Sequence, residues 1–331
     1  MKHLVTVFAL SISLLTGCAS IGGTPDWISG APSRYSSSQY LIGRGQADSG
    51  EEARDRARAD LAKTFEVSVA VESEDVQAFR SGQYEGSSSR RITARTERVV
   101  EGIEIAETWK DPTSKTYHVL AVLPRLKAGT TLRQEIGRLD DATRQQLDRA
   151  RDAQDLLLKI AAAAQAVSLQ SDRAALQKTL RVVDPAGVGS ETSVNLDKLR
   201  ADLDALLKRV KLAPGVTPDA TPGLEAIVKG ALASAGLLAD TSDKPEFMLE
   251  GSLALEDLGR RDGWYWQRGT LEVKLIEAAT NRVRGSKRWP LKSSALTHEG
   301  AIQRALSQAD AALKKELRST VIGFAAGEGA N

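Results

Sequence analysis

Apolar residues change their spacing repeatedly along this chain, and each spacing predicts its own element. Residues 40–46 (YLIGRGQ) read as a strand. Ala53, Ala57, Leu61 and Phe65 then recur every four residues in a highly charged stretch, the stripe of a half-buried helix. Ser49, with Glu52 three residues on, supplies a capping box at its start. Val67, Val69 and Val71 alternate with Ser68, Ala70 and Glu72, which predicts another strand. Residues 80–89 (RSGQYEGSSS) predict a turn, and 91–109 a long β-rich run. After the turn at Asp111 and Pro112, 117–123 (YHVLAVL) predict a closing strand. This order, β-α-β-β-β over residues 39–127, is that of one helix packed on an antiparallel sheet.

The spacing then becomes helical. Leu132, Ile136, Leu139, Thr143, Gln146, Ala150, Ala153, Leu157, Ile160, Ala164 and Val167 alternate by four and three, a heptad seam with polar breaks at Thr143 and Gln146. Thr131 with Gln134 reads as its capping box, and a shorter helix over 172–183 is expected to fold back on it. Residues 128–183 are therefore expected to form a helical hairpin within the chain, or else an arm that pairs between chains. Within 184–220, a loop (DPAGVGSETSV) precedes an amphipathic helix carrying Leu196, Leu199, Leu203, Leu206 and Val210, and Pro214, Pro218 and Pro222 mark a linker. A last unit over 221–325 reads α-β-β-β-α. Its first helix carries Leu224, Ile227, Val228, Ala231 and Ala235, with Pro222 in its first turn. Three strands follow at 247–255, 264–276 and 283–291, turning at GRRDG and at Thr280-Asn281. The closing helix carries Ile302, Leu306, Ala309, Leu313 and Leu317. The expected fold class is α+β: two small antiparallel-sheet domains with packed helices, joined by a helical hairpin or arm.

The N-terminus changes the picture. MKHLVTVFALSISLLTGCAS combines a short basic head with about eleven apolar residues, fewer than the ~18 that span a bilayer, so residues 1–17 read as a signal peptide. Leu15-Thr16-Gly17-Cys18 resembles the bacterial lipobox, in which the Cys thiol receives a diacylglycerol and the chain is cut just before it. Cys18 is the only cysteine, so it has no intramolecular disulfide partner, and it is the expected lipid-attachment residue. Ala19 follows it rather than an Asp, which by resemblance to bacterial lipoproteins favours the outer membrane. Acyl chains at one Cys, palmitate among them, bury CH₂ groups at ~0.8 kcal/mol each and anchor the chain durably. Residues 18–38, rich in Gly, Ser and Pro, read as a flexible spacer interrupted by Trp27, which could rest on the first domain or at the membrane interface.

Composition removes several function classes. Loss of residues 1–17 takes away only Lys2 among the charged residues, leaving 44 basic against 43 acidic, a balance that offers nothing to nucleic acid. His118 and His298, the two histidines beyond residue 17, have no neighbouring His, Cys or Asp at ligand spacing, so no metal is expected. No Gly-x-Ser-x-Gly elbow and no Gly-Lys-Ser/Thr phosphate loop is present. The carboxylate pairs Glu51-Glu52 and Asp140-Asp141 read as solvated helix faces. Gly43-Arg44-Gly45 imitates a dinucleotide loop, but Asp48 stands where its third glycine belongs and the following strands form a meander. Both glycines instead leave room for a close-packed helix. No cofactor, no metal and no catalytic residue is expected.

The same residues carry a resemblance. Pro25-Asp26-Trp27, Tyr40, Gly43, Gly45, Ala47, Glu52-Ala53-Arg54, Ala57, Ala62, Trp109 and Tyr117-His118-Val119-Leu120 resemble the Lpp-twenty lipoprotein family over about residues 25–127. That resemblance implies a modified dodecin-like βαβ-meander in an outer-membrane lipoprotein, with no catalytic residues to carry over. A related domain opens a flagellar assembly protein. The C-terminal unit resembles, in architecture alone, periplasmic domains of curli-secretion and penicillin-binding-protein-activator lipoproteins.

Two features suggest an interaction surface. Trp264 and Trp266 share strand parity with Arg268, Thr270, Glu272 and Lys274, opposite Leu271, Val273 and Leu275. Unbroken alternation turns both indoles away from the core, as candidate partner-binding residues; a bulge at Gly269 would bury them instead. Arg90, Arg91, Arg95 and Arg98 form a basic cluster, either a solvated face or a contact to an anionic polymer. The expectation is a non-enzymatic outer-membrane lipoprotein whose body faces the periplasm and binds or scaffolds envelope partners or itself. Alternatives are an assembly or secretion factor (flagellar, curli-like or a peptidoglycan-synthase activator) and an enzyme acting on the cell wall.

Overall fold

The computed structural model describes residues 23–77, 102–218, 221–242, 244–327 and 329. They fall into two units, the first ending at Ala128 and the second running from Gly129 onward. The fold class is α+β. Residues 1–22, with the signal peptide and Cys18, lie outside the described residues, as do the turn at 80–89, the first part of the 91–109 run and the arginine cluster at 90–98.

In the first unit, β1 (Tyr40–Ala47), β2 (Glu104–Lys110) and β3 (Tyr117–Pro124) form an antiparallel sheet in the order β1-β3-β2. A long helix, α2 (Gly50–Gln77), covers one face. Ser49 caps it, its hydroxyl oxygen accepting from the Glu52 amide at 3.3 Å. Ala53, Ala57, Leu61, Phe65 and Val69 are all buried, so the four-residue stripe runs on through the segment expected to be a strand. The alternating valines there are helical: Val69 extends the stripe and Val67 faces solvent. The helix lies almost on the backbone of β1. A Cβ built on Gly43 would come within 2.5 Å of Leu61 Cβ, and one on Gly45 would strike the backbone of Ala53 and Ala57.

The sheet's other face is covered by the segment expected to be a spacer. Residues Asp26–Ser29 form a short helix, α1, and Trp27 is buried against Leu120 and Val122. Its indole Nε1 donates to Glu107 Oε2 at 2.7 Å. Arg44 clamps the segment from β1, Nε donating to the Trp27 carbonyl and an Nη to the Gly30 carbonyl, each at 2.6 Å.

The second unit opens with helices α3 (Arg125–Asp152, which begins just before the unit boundary) and α4 (Leu156–Val183). The expected 131–167 helix is thus broken at 153–155. Asp155 caps α4, accepting from the Leu157 and Leu158 amides, and the turn-back comes there rather than before a separate helix at 172. Thr131 lies inside α3 rather than at its cap. The two helices are joined within the chain. Gln170 Nε2 donates to Thr143 Oγ1 at 2.9 Å and to Asp140 Oδ1 at 3.0 Å, and Arg173 pairs with Asp140 at 3.0 Å. Asp140, expected on a solvated face, is therefore a structural partner to a buried arginine, which also donates to the Ser190 and Glu191 carbonyls and ties down the following loop.

After α5 (Leu196–Leu207), residues expected to be a proline linker form a strand, β4 (Lys211–Val216). It pairs in parallel with β6 (Phe247–Arg261) and, at Lys211 and Leu212, with the short β5 (Leu238–Ala239). Pro214 is tolerated because β5 stops short of it and leaves that side open. The next helix, α6 (Leu224–Ser234), starts after Gly223, whose φ of 95° only glycine adopts freely; Pro222 precedes the helix. Strands β6, β7 (Trp264–Glu277) and β8 (Arg282–Ala295) form the expected meander, completing a sheet ordered β5-β4-β6-β7-β8. Asp262 and Asn281 take positive φ in its turns. Helix α7 (His298–Ala325) packs on its inner face through Ala305, Ala309, Leu313 and Leu317.

The free edge of β8 is covered. The Ser286 amide donates to the Gly329 carbonyl at 3.1 Å, and Pro290 has no N–H to offer. Gln308 donates to the Lys292 carbonyl and Arg304 to that of Ser294. Glu316 fixes α7 to the same strand, accepting from Lys287 Nζ (2.8 Å) and Trp289 Nε1 (2.9 Å). These hydrogen bonds hold its carboxyl below the usual glutamate range.

Gly45→Ala should lower stability by about 2 kcal/mol or more through overpacking against backbone that cannot retreat, whereas Gly137→Ala, at a helical site with open space, should raise it by about 0.5–1 kcal/mol. Thermal denaturation checks both. Because the folded pKa of Glu316 is depressed, its contribution is in place above the unfolded value and is lost as pH falls through the folded one. Glu316→Gln should therefore flatten the acid limb of stability against pH, read by urea unfolding.

Candidate functional site

The hairpin end of the β6–β7–β8 meander gathers the candidate partner-binding residues. Along β7 the pairing with β8 runs unshifted from Tyr265 to Leu275, and the β6–β7 register shifts between Asp257 and Arg260, opposite Trp266; Gly269 pairs in register with both Leu255 and Leu291, so there is no bulge at Gly269 to switch faces. Leu271, Val273 and Leu275 are buried on the helix-covered face, and Trp264 and Trp266 lie on the opposite parity. Trp264 is 38% exposed and Trp266 is half-buried.

What hides part of each ring is a cation. Lys292 Nζ lies 4.9 Å from the centroid of Trp266, and the Arg304 guanidinium 5.8 Å from that of Trp264. On the adjacent register position Arg260 stands 5.7 Å over Tyr265. Leu296, just beyond β8, is 68% exposed beside them. Of the neighbouring charges, Arg268 pairs with Glu256 at 2.7 Å and His298 with Asp257 at 3.3 Å. Among the described residues Arg260, Arg261, Lys292 and Arg304 are in no ion pair. Asp262 at the hairpin tip and Glu299 in the first turn of α7 are the nearby acids. Beneath this end Gln267 is 3% exposed on the core parity, and its Nε2 has no partner among the described residues.

Sequence spacing found the two tryptophans and missed the cations that frame them. Arg260-Arg261 within GRRDG was the visible hint; Lys292 and Arg304 come from elements brought alongside only by the fold.

Neither histidine joins a metal-type cluster. His118 packs tilted against Trp109 with ring centroids 5.5 Å apart, and His298 meets Tyr265 edge-on at 6.2 Å. Among the described residues no group of three His, Cys, Asp or Glu side chains comes together, and no helix is long and apolar enough to cross a membrane.

In the first unit a cleft of about 680 Å³ lies between residues 28–37 and β1, lined by Ile28, Pro32, Tyr35, Tyr40, Ile42 and Arg44. Gly43 and Gly45 are filled from behind by α2, which leaves no room at Gly43-Arg44-Gly45 for a pyrophosphate. The glycine pair, the alanine-faced helix and the docked Trp27 all lie within residues 25–124. Residues 25–124 match the LPP20 lipoprotein family.

The LPP20 match thus covers the three-stranded unit together with the segment that closes its second face. No curated protein matches the chain. Among solved structures the chain is similar to the secreted protein HP1454 from Helicobacter pylori, with 15% identity and a TM-score of 0.43, covering 84% of this chain and 97% of that one. It is also similar to a minor lipoprotein from Acinetobacter baumannii, with 12% identity, coverage of 33% and 93%, and a TM-score of 0.27. A third is a putative lipoprotein from Caulobacter crescentus, with 14% identity, coverage of 35% and 90%, and a TM-score of 0.26.

With the indoles on the outward parity, Trp264→Ala should change stability by no more than about 0.5 kcal/mol and Trp266→Ala by about 1 kcal/mol, the latter losing its partly buried stack. Outright unfolding of either variant, seen by circular dichroism, would show that the indoles serve the core.

Proposed function

We propose that this chain is a non-enzymatic lipoprotein of the bacterial envelope, anchored in the outer membrane through the lipid on Cys18, with its body in the periplasm. The observation that carries the reading is the position of the sole cysteine. Cys18 ends a Leu-Thr-Gly-Cys lipobox seven residues before the LPP20 match begins at Pro25. Acyl chains there confine the body to a thin layer beside the membrane, which raises its effective concentration for anything else in that layer. The work of the body is then binding or scaffolding: envelope partners or a second copy meet its α+β units.

Growth with a clickable palmitate analogue tests the anchor. The protein should take up the label, Cys18→Ser should abolish it, and density-gradient fractionation should find the label in outer membranes. Label retained by Cys18→Ser, or recovery in the inner membrane, would refute the assignment. Turnover of muropeptides by the purified protein would refute the non-enzymatic part.

A further inference from the structure

We propose that the hairpin end of the second unit's sheet is a contact surface for an anionic phospholipid bilayer. Trp264 and Leu296 are exposed there and Trp266 is half-buried. Lys292 and Arg304 stand over the two indoles, Arg261 pairs across from Trp264, and Arg260 lies over Tyr265 on the sheet's other parity, four cations free of ion pairs among the described residues. The inference rests on the lipoprotein reading only for the nearness of a membrane.

Three observations favour lipid headgroups over a protein partner. First, the composition is that of the interfacial zone of a bilayer, where amphipathic Trp and Tyr rings settle at headgroup level and Lys and Arg meet lipid phosphates. The cores of protein interfaces are depleted in Lys, yet here Lys292 lies directly over an indole. Second, three of the four cations, Arg260, Lys292 and Arg304, are held against aromatic rings. Arg304 donates to the Ser294 carbonyl while standing over Trp264, and Arg260 stands over Tyr265, so little side-chain freedom remains to be lost on contact. The neighbouring charges Arg268 and Glu256, and His298 and Asp257, are already matched with one another. Third, the surface lies at a hairpin tip, where Asp262 (φ 51°) and Gly263 (φ 83°) make the turn and Gly259 (φ 75°) sits in the register shift behind it. Such a tip can meet a plane. Asp262 and Glu299 oppose the attraction, and the four cations outnumber them.

Each cation near an anionic surface contributes about 1 kcal/mol, so the contact would be weak alone and effective beside a second membrane attachment. It would fix which end of the second unit faces the bilayer.

The mature protein, purified with its anchor and reconstituted into nanodiscs, provides the test. One set of discs contains phosphatidylglycerol and phosphatidylethanolamine, the other phosphatidylcholine alone. Two readouts are followed: trypsin cleavage after Arg260 and Arg261, and amide exchange over residues 258–266. In the anionic discs both should slow by about tenfold or more relative to phosphatidylcholine, as two or more cations at the surface imply, and about 0.5 M salt should remove the difference. Arg261→Glu should lose most of the exchange protection with its thermal midpoint unchanged, and Trp264→Ala with Trp266→Ala should lose it as well. Equal rates in the two lipids would overturn the proposal. So would protection that persists in detergent, which would point to a second copy as the occupant. If the protein fails to stay with either disc, the anchor reading fails, and flotation of the free protein reads the surface directly. Co-flotation with phosphatidylglycerol vesicles and not with phosphatidylcholine supports the contact, and flotation with neither overturns it.

Discussion

The close approach of α2 to β1 is the constraint on which the first unit depends. Two glycines on one strand face remove the side chains that would hold a helix at its ordinary distance, and Ala53 and Ala57 remove them from the helix side. Dispersion attraction falls away steeply with a gap of even half an ångström; here the gap is closed backbone to backbone. The consequence reaches across the sheet. With β1 drawn onto the helix, Leu120 and Val122 turn toward the opposite face, and Trp27 comes down over them. Arg44, placed between the two glycines, points to that opposite face and holds the Trp27 segment by its carbonyls. One tripeptide thus packs a helix on one side and secures a chain segment on the other.

The second unit solves its packing in layers. Its five-stranded sheet carries α6 and α7 on the inner face, and Leu157, Ile160, Leu203 and Leu207 of α4 and α5 join the same apolar cluster. The hairpin helices bury Leu132, Ile136, Leu139, Leu176 and Leu180 and add a polar set, with Thr143, Gln170, Asp140 and Arg173 mutually bonded. A buried arginine without Asp140 would be a heavy liability, so this set fixes the register of α3 on α4 more specifically than leucines could.

Much of this was legible in the chain. Spacing located the helix stripe from Ala53, the meander between Phe247 and Leu291 and the closing helix, because each pattern is local and each face is buried on one side only. The outward parity of Trp264 and Trp266 was legible for the same reason. What escaped depends on partners distant in sequence. β4 contains Pro214 and Gly215, lacks alternation and exists because β6 lies beside it. The valines at 67–71 fit a strand as well as a helix, and the continuation of the stripe to Val69 decided between them. The break at 153–155 was masked by alanines that preserve a heptad while Asp155 starts a new helix. Of the candidate surface the aromatics could be read and the cations could not, since Lys292 and Arg304 reach the indoles from another strand and a helix.

The covered margin of β8 has a consequence for the protein's company. Gly329, Pro290, Gln308 and Arg304 occupy the places where an incoming strand would form its ladder. At high local density an open strand can recruit its neighbours into fibrils. On this side the molecule is proofed against such recruitment, and any neighbour must engage it through side chains, reversibly and selectively, rather than by adding a strand.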